Sequence, residues 1–188
     1  MLWILIGVAL VVVLAAFVWL TYNRMVAKRL AAENSWSQID VSLRRRHDLI
    51  PALVESVKGY ASHERATFEN VAEARTTAIA AEGPASRAAA EGRLGTETER
   101  LLGVAEAYPE LEASANFSKL QDDLREAEDQ IAITRRVYND TVETYNTLIQ
   151  IFPAVIVARL FGFERREFFD APAAAEATPQ VSLSPGPG

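Results

Sequence analysis

Residues 1–23 carry no charged side chain, and within them Leu2 to Leu20 reads LWILIGVALVVVLAAFVWL without one polar group. As a helix rising about 1.5 Å per residue this stretch spans roughly 28 Å, which matches a hydrocarbon core of about 30 Å. Trp3 at one end and Trp19 with Tyr22 at the other stand where amphipathic rings settle at the two headgroup levels. A cleaved signal peptide needs a basic region before the apolar run and a small-residue cleavage site after it. Here only Met1 precedes and TYNRM follows. The expectation is a retained transmembrane anchor over residues 1–21. Arg24, Lys28 and Arg29 follow the span and no basic side chain precedes it, so the positive-inside rule puts the C-terminal region in the cytoplasm.

The rest of the 188 residues has room for one domain, expected over residues 22–170, and a tail. All 19 Lys/Arg and all 25 Asp/Glu lie there. With no cysteine there is no disulfide framework, thiolate zinc site or thiol nucleophile. A net charge of -6 opposes general nucleic-acid binding, which requires a basic surface to neutralise phosphate.

From Tyr22 to about Ala81 only Gly59 interrupts a helical pattern. Trp36, Ile39, Leu43, Ile50, Leu53, Val57, Tyr60, Val71, Ala74 and Ala78 fall at alternating spacings of three and four, with Arg46, Glu64 and Thr67 as polar members of the seam. Pro51 removes one backbone donor, so a kink or hinge is expected near Ile50-Pro51. Gly83-Pro84 ends this helix. A second is expected from about Ala85 to Tyr108, carrying Leu94, Leu101, Leu102 and Val104, unless Thr96-x-x-Glu99 is a capping box that starts a shorter one. A third runs through Phe117, Leu120, Leu124, Ala127, Ile131, Thr134, Tyr138, Thr141, Tyr145, Leu148 and Phe152, ended by Pro153. Residues 154–163, AVIVARLFGF, are too short to span a bilayer and read either as a short helix covering the bundle or as an interfacial segment. Residues 171–188 are rich in Pro, Ala, Ser and Gly and read as a disordered tail. The predicted fold is all-α: a transmembrane helix continuing into an antiparallel bundle of three long helices, with a short C-terminal helix.

Residues 24–46 hold six basic and two acidic side chains, whereas 122–129 hold five acidic and one basic. Two readings are open for these patches, solvated faces with weak pairing or contact between neighbouring copies. Arg44, Arg45, Arg46, His47 and Asp48 together form the candidate partner-binding patch. Two Tyr-Asn pairs, Tyr138-Asn139 and Tyr145-Asn146, recur at seven residues on one stripe. Their hydroxyls need partners, and the asparagines either pin interhelical register or face water.

Catalytic patterns are sparse. His47 and His63 are 16 residues apart, about 24 Å along one helix, too far to share a metal unless the hinge folds the chain back. Thr67 stands where HExxH needs its second histidine, no Glu-x-x-His occurs, and no phosphate-binding glycine loop is present. The chain is read as non-enzymatic, without cofactor or small-molecule substrate.

The blocks SWSQIDVSLRRRHDLIPALVESVKGYASHE, AEAYPELEASANFSKLQ, RRVYNDTVETYNTLIQIFP and FGFERREFF, in this order, resemble the bacterial LemA family over about residues 22–169. The resemblance implies one N-terminal membrane helix, a small antiparallel helical bundle and a bacterial inner-membrane location. It implies no catalytic or ligand residues. The functional expectation is a membrane-anchored interaction or scaffold protein, self-associating or binding other membrane proteins. The alternative is a protein that organises or deforms the bilayer through a second contact at 154–163.

Overall fold

The computed structural model describes residues 1–170, so the expected disordered tail over 171–188 lies outside the described residues. Six helices follow one another: α1 (Leu2–Lys58), α2 (Arg65–Ala80), α3 (Pro84–Ala105), α4 (Pro109–Glu112), α5 (Ala115–Leu148) and α6 (Ala154–Leu160). Among the described residues there is no strand, and the all-α expectation holds.

α1 is one helix of 57 residues, about 86 Å long. Its first four turns are exposed throughout, an apolar rod that no other helix covers. From Met25 onward it acquires a buried stripe of Met25, Ala32, Ser35, Ile39, Leu43, Arg46, His47, Ile50, Leu53 and Val57. The membrane segment and the first bundle helix are therefore one continuous element.

The chain turns at residues 59–64 and not at Pro51, which lies inside unbroken helix. Gly59 is where the helix stops: it weakens helical backbone by about 1 kcal/mol relative to alanine. The expected first helix is thus two, α1 and a returning α2, and the bundle has four long helices instead of three. Glu64 belongs to the turn, which explains why it breaks the apolar seam.

Gly83, with φ +79°, adopts the left-handed backbone between α2 and α3, and Pro84 fills the first helical position, where its missing N–H costs nothing. α3 starts there and runs through Thr96, whose hydroxyl bonds back to the Gly92 carbonyl at 3.2 Å, so no capping box starts a shorter helix. α5 follows the predicted seam from Phe117 to Leu148 but ends short of Pro153. A residue before proline is pushed out of the helical region, so Phe152 cannot continue the helix, and it is left 79% exposed.

The elements alternate in direction. α1 and α5 form the long antiparallel pair, while α2 and α3 form a shorter hairpin leaning on the distal part of α1. The distal core gathers Ile50, Leu53, Val57, Val71, Ala74, Ala78, Leu94, Leu101, Leu111, Phe117 and Leu124. Nearer the membrane, where the hairpin stops, its place beside α1 and α5 is taken by residues 163–170 after α6, which bring Phe168 and Phe169 onto Trp36 and Tyr138. A third cluster at the membrane end joins Met25, Tyr145, Leu148 and Ile149 to Ala154, Val157 and Ala158 of α6, with Phe17 and Val18 packed against it.

Candidate functional site

The run Arg44 to Asp48 occupies a turn and a half of α1, so its side chains fan out to different neighbours. Arg46 and His47 lie on the buried stripe. The Arg46 guanidinium pairs with the carboxylate of Glu91 on α3 and, at 2.8 Å, with Glu128 on α5. His47 donates from Nε2 to the other Glu91 oxygen at 2.7 Å. The side chains of Arg46 and Glu91 are each 5% exposed. Burial pushes the Glu91 carboxyl up, but the hydrogen bond from His47 and the charge of Arg46 together outweigh it and hold the group below its ordinary value. The cluster ties three helices together, and a buried carboxylate with both oxygens occupied is fixed rather than free to act as a base.

Arg45 reaches across to Glu126 at 2.7 Å, and Arg44 pairs with Asp40 one turn back. The basic and acidic patches therefore meet within one chain: Arg45 with Glu126 is weak pairing on a solvated face, and Arg46 reaches Glu128 from a buried position. Within the run expected to bind a partner, the five side chains differ in placement. Arg46 and His47 are buried, Arg45 is held by Glu126, and Arg44 and Asp48 remain exposed. His63 stands exposed in the turn after α1. Among the described residues no three His, Asp or Glu side chains are placed to hold a metal ion.

Pro51, inside unbroken helix, also shapes a contact with α2. With no N–H it leaves the His47 carbonyl without its helical partner, and Arg75 of α2 donates Nε–H to that oxygen at 2.8 Å. The exposed ring marks a place where the returning helix is latched to α1.

The Tyr-Asn pairs send their hydrogen bonds to residues 164–169, an extended strap laid along α5 after α6. Asn146 donates to the Arg166 carbonyl and accepts from the Arg166 N–H, both at 2.9 Å. Asn139 accepts from the Phe169 N–H at 2.9 Å and donates to its carbonyl. Tyr145 and Tyr138 donate to the carbonyls of Glu164 and Glu167 at 2.9 and 2.8 Å. Seven residues of helix rise about 10.5 Å and three residues of extended chain about 10 Å, so the heptad repeat on α5 meets a three-residue repeat on the strap. Burial pushes both tyrosine hydroxyls up, keeping them neutral donors.

At the membrane end Arg24 and Arg29 are exposed and Lys28 half-buried, with Arg24 and Lys28 sharing a cleft with Glu143, Thr147 and Ile151. Arg29 lies 5.6 Å over the ring of Phe163. Tyr22 meets Phe161 and Phe163 edge-on at 5.0 and 5.6 Å. Ala154, Val157 and Ala158 cover the bundle, while Ile156 and Leu160 stay 60% and 72% exposed on the opposite side.

A family model described as the LemA family matches residues 35–183. The chain is also similar to two proteins of Paramagnetospirillum magneticum (strain ATCC 700264 / AMB-1), Magnetosome protein MamQ 1 and Magnetosome protein MamQ 2. Each is 28% identical over 205 residues, covering 94% of this chain and 75% of the relative. Magnetosome protein MamQ of Magnetospirillum gryphiswaldense (strain DSM 6361 / JCM 21280 / NBRC 15271 / MSR-1) is 26% identical over 189 residues, covering 85% and 70%.

Proposed function

The chain belongs to the LemA family, and we propose that it is a non-enzymatic scaffold of the bacterial inner membrane, holding a helical bundle on the cytoplasmic side for other membrane proteins or further copies of itself. One observation carries this reading: α1 passes from the apolar segment into the bundle without interruption, so the bundle's orientation is coupled to the anchor. A flexible tether would leave a domain free to tumble; a shared helix fixes which faces a neighbour meets.

The disposition of charge supports the same reading. The buried ionisable groups of the RRRHD run are engaged in holding helices together, and what remains outward is a polar surface suited to contact. Arg44 and Asp48 are the members of that run left for a partner. The names of the relatives assign them to the magnetosome and state no reaction, as would suit a structural component.

Crosslinking in native membranes followed by mass spectrometry tests the proposal. A partner or self-contact should be recovered and should be lost in a chain carrying Arg44→Glu and Asp48→Lys. Unchanged crosslinks would remove that surface from the account, and no crosslinks at all would oppose scaffolding. Orientation is tested with the single-cysteine variant Glu82→Cys in spheroplasts, where a membrane-impermeant maleimide should react only after the membrane is opened.

A further inference from the structure

We infer that residues 151–163 form a second membrane contact, a short helix lying in the lipid interface beside the anchor, with the bilayer itself as the occupant of its uncovered face. This inference rests on the reading that residues 2–20 cross the membrane.

The reasoning begins with depth. Phe17 and Val18 belong to the apolar run, within the last turns before the basic residues. Both pack against the cluster that contains Ala154, Val157 and Ala158 of α6. If Phe17 and Val18 are in lipid, an element touching them cannot stand clear of it. Phe161 lies lower still on the anchor: it lines a cleft of about 600 Å³ with Val11, Leu14, Val18, Trp19 and Tyr22, an almost wholly apolar space that lipid chains would fill.

The side chains agree with the position. α6 has two faces. Its inner residues are small and buried, which lets it approach α1 and α5 closely. Its outer side carries Ile156 and Leu160, continued on either side by Phe152 and Phe161, all exposed among the described residues. An apolar patch of this kind, continuous with a membrane span, is the signature of an interfacial helix. Around it stand Arg24, Lys28, Arg29 and Arg159, at the level where anionic headgroups would lie, with Glu143 as the acidic neighbour in the adjoining cleft.

The absence of native cysteine makes a direct test available in the full chain. Single cysteines replacing Val12, Asp122, Ile156 and Leu160 are labelled with a nitroxide, and the protein is reconstituted in vesicles of phosphatidylethanolamine and phosphatidylglycerol. Collision with oxygen, which concentrates in lipid, is compared with collision with a water-soluble nickel complex. The oxygen-to-nickel ratio at 156 and 160 should resemble that at 12 and exceed that at 122 several-fold. Ratios at 156 and 160 like that at 122, with 12 still in lipid, would overturn the inference and leave the anchor intact. Low collision with both reagents would mean that a protein neighbour covers the face, and would overturn it as well. A nickel-accessible position 12 would remove the anchor reading and this inference together.

Discussion

Arg75 donates its Nε–H to the carbonyl oxygen of His47 at 2.8 Å, and that oxygen is the one Pro51 leaves without a partner in α1. A proline that would ordinarily weaken a helix interior here prepares an acceptor for the neighbouring helix. Replacing Arg75 by alanine should destabilise the protein by about 1–3 kcal/mol, because a half-buried carbonyl loses its donor. In a Pro51→Ala background the restored N–H can take over, so the same Arg75→Ala change should cost clearly less. Thermal unfolding of the four chains of this double-mutant cycle, followed by loss of helical circular dichroism in detergent, measures the coupling.

Glu91 should be far less replaceable than Glu126. Glu91→Ala leaves the buried Arg46 guanidinium with only the half-buried Glu128 as counter-charge and should cost about 3–5 kcal/mol. Glu126→Ala removes an exposed pair with Arg45 and should cost under about 1 kcal/mol. Equal losses in denaturant unfolding would contradict the assignment of the first cluster as structural and the second as surface.

Acid should weaken the bundle through the same carboxylate. The folded-state value of Glu91 lies below its unfolded value, so its contribution is complete above the ordinary glutamate range near about 4.3 and is lost as pH falls through the lower folded value. Unfolding midpoints taken from that range downward should fall for the wild-type chain. They should fall less steeply for Glu91→Gln, which has no proton to gain at that position.

Asn146 should govern the strap. Asn146→Ala removes the two hydrogen bonds to Arg166 and should cost about 2 kcal/mol, at about 1 kcal/mol for each. Hydrogen exchange should rise first at residues 164–169, with α1 and α5 amides protected as before. Exchange spread evenly over the bundle would mean that the strap is not a separately released element.

The long-range periodicities were the legible part. The seam from Phe117 to Leu148 marks α5, and every apolar seam position proposed between Ile39 and Val57 is buried. Arg46 looked like a flaw in that seam, yet it is a true core position, because Glu91, 45 residues away, supplies its counter-charge. No local pattern announces such a partner. Pro51 misled for the same reason: its cost to the helix is local, while its compensation by Arg75 is tertiary. Gly59, the residue at which α1 ends, is a single glycine in a helical pattern, and nothing local marks it as a stop. The Tyr-Asn repeat did carry a signal, two hydroxyls in need of acceptors, but their acceptors lie in FERREFF, an extended segment without periodicity of its own.

The functional reading rests on an anchor that stays in the membrane as the first third of α1. Washing membranes with alkaline carbonate and mapping the retained chain by peptide mass spectrometry tests that most directly. The account predicts that the protein remains in the pellet and yields peptides covering residues 2–20. A chain released into the supernatant and beginning after Leu20 would contradict it.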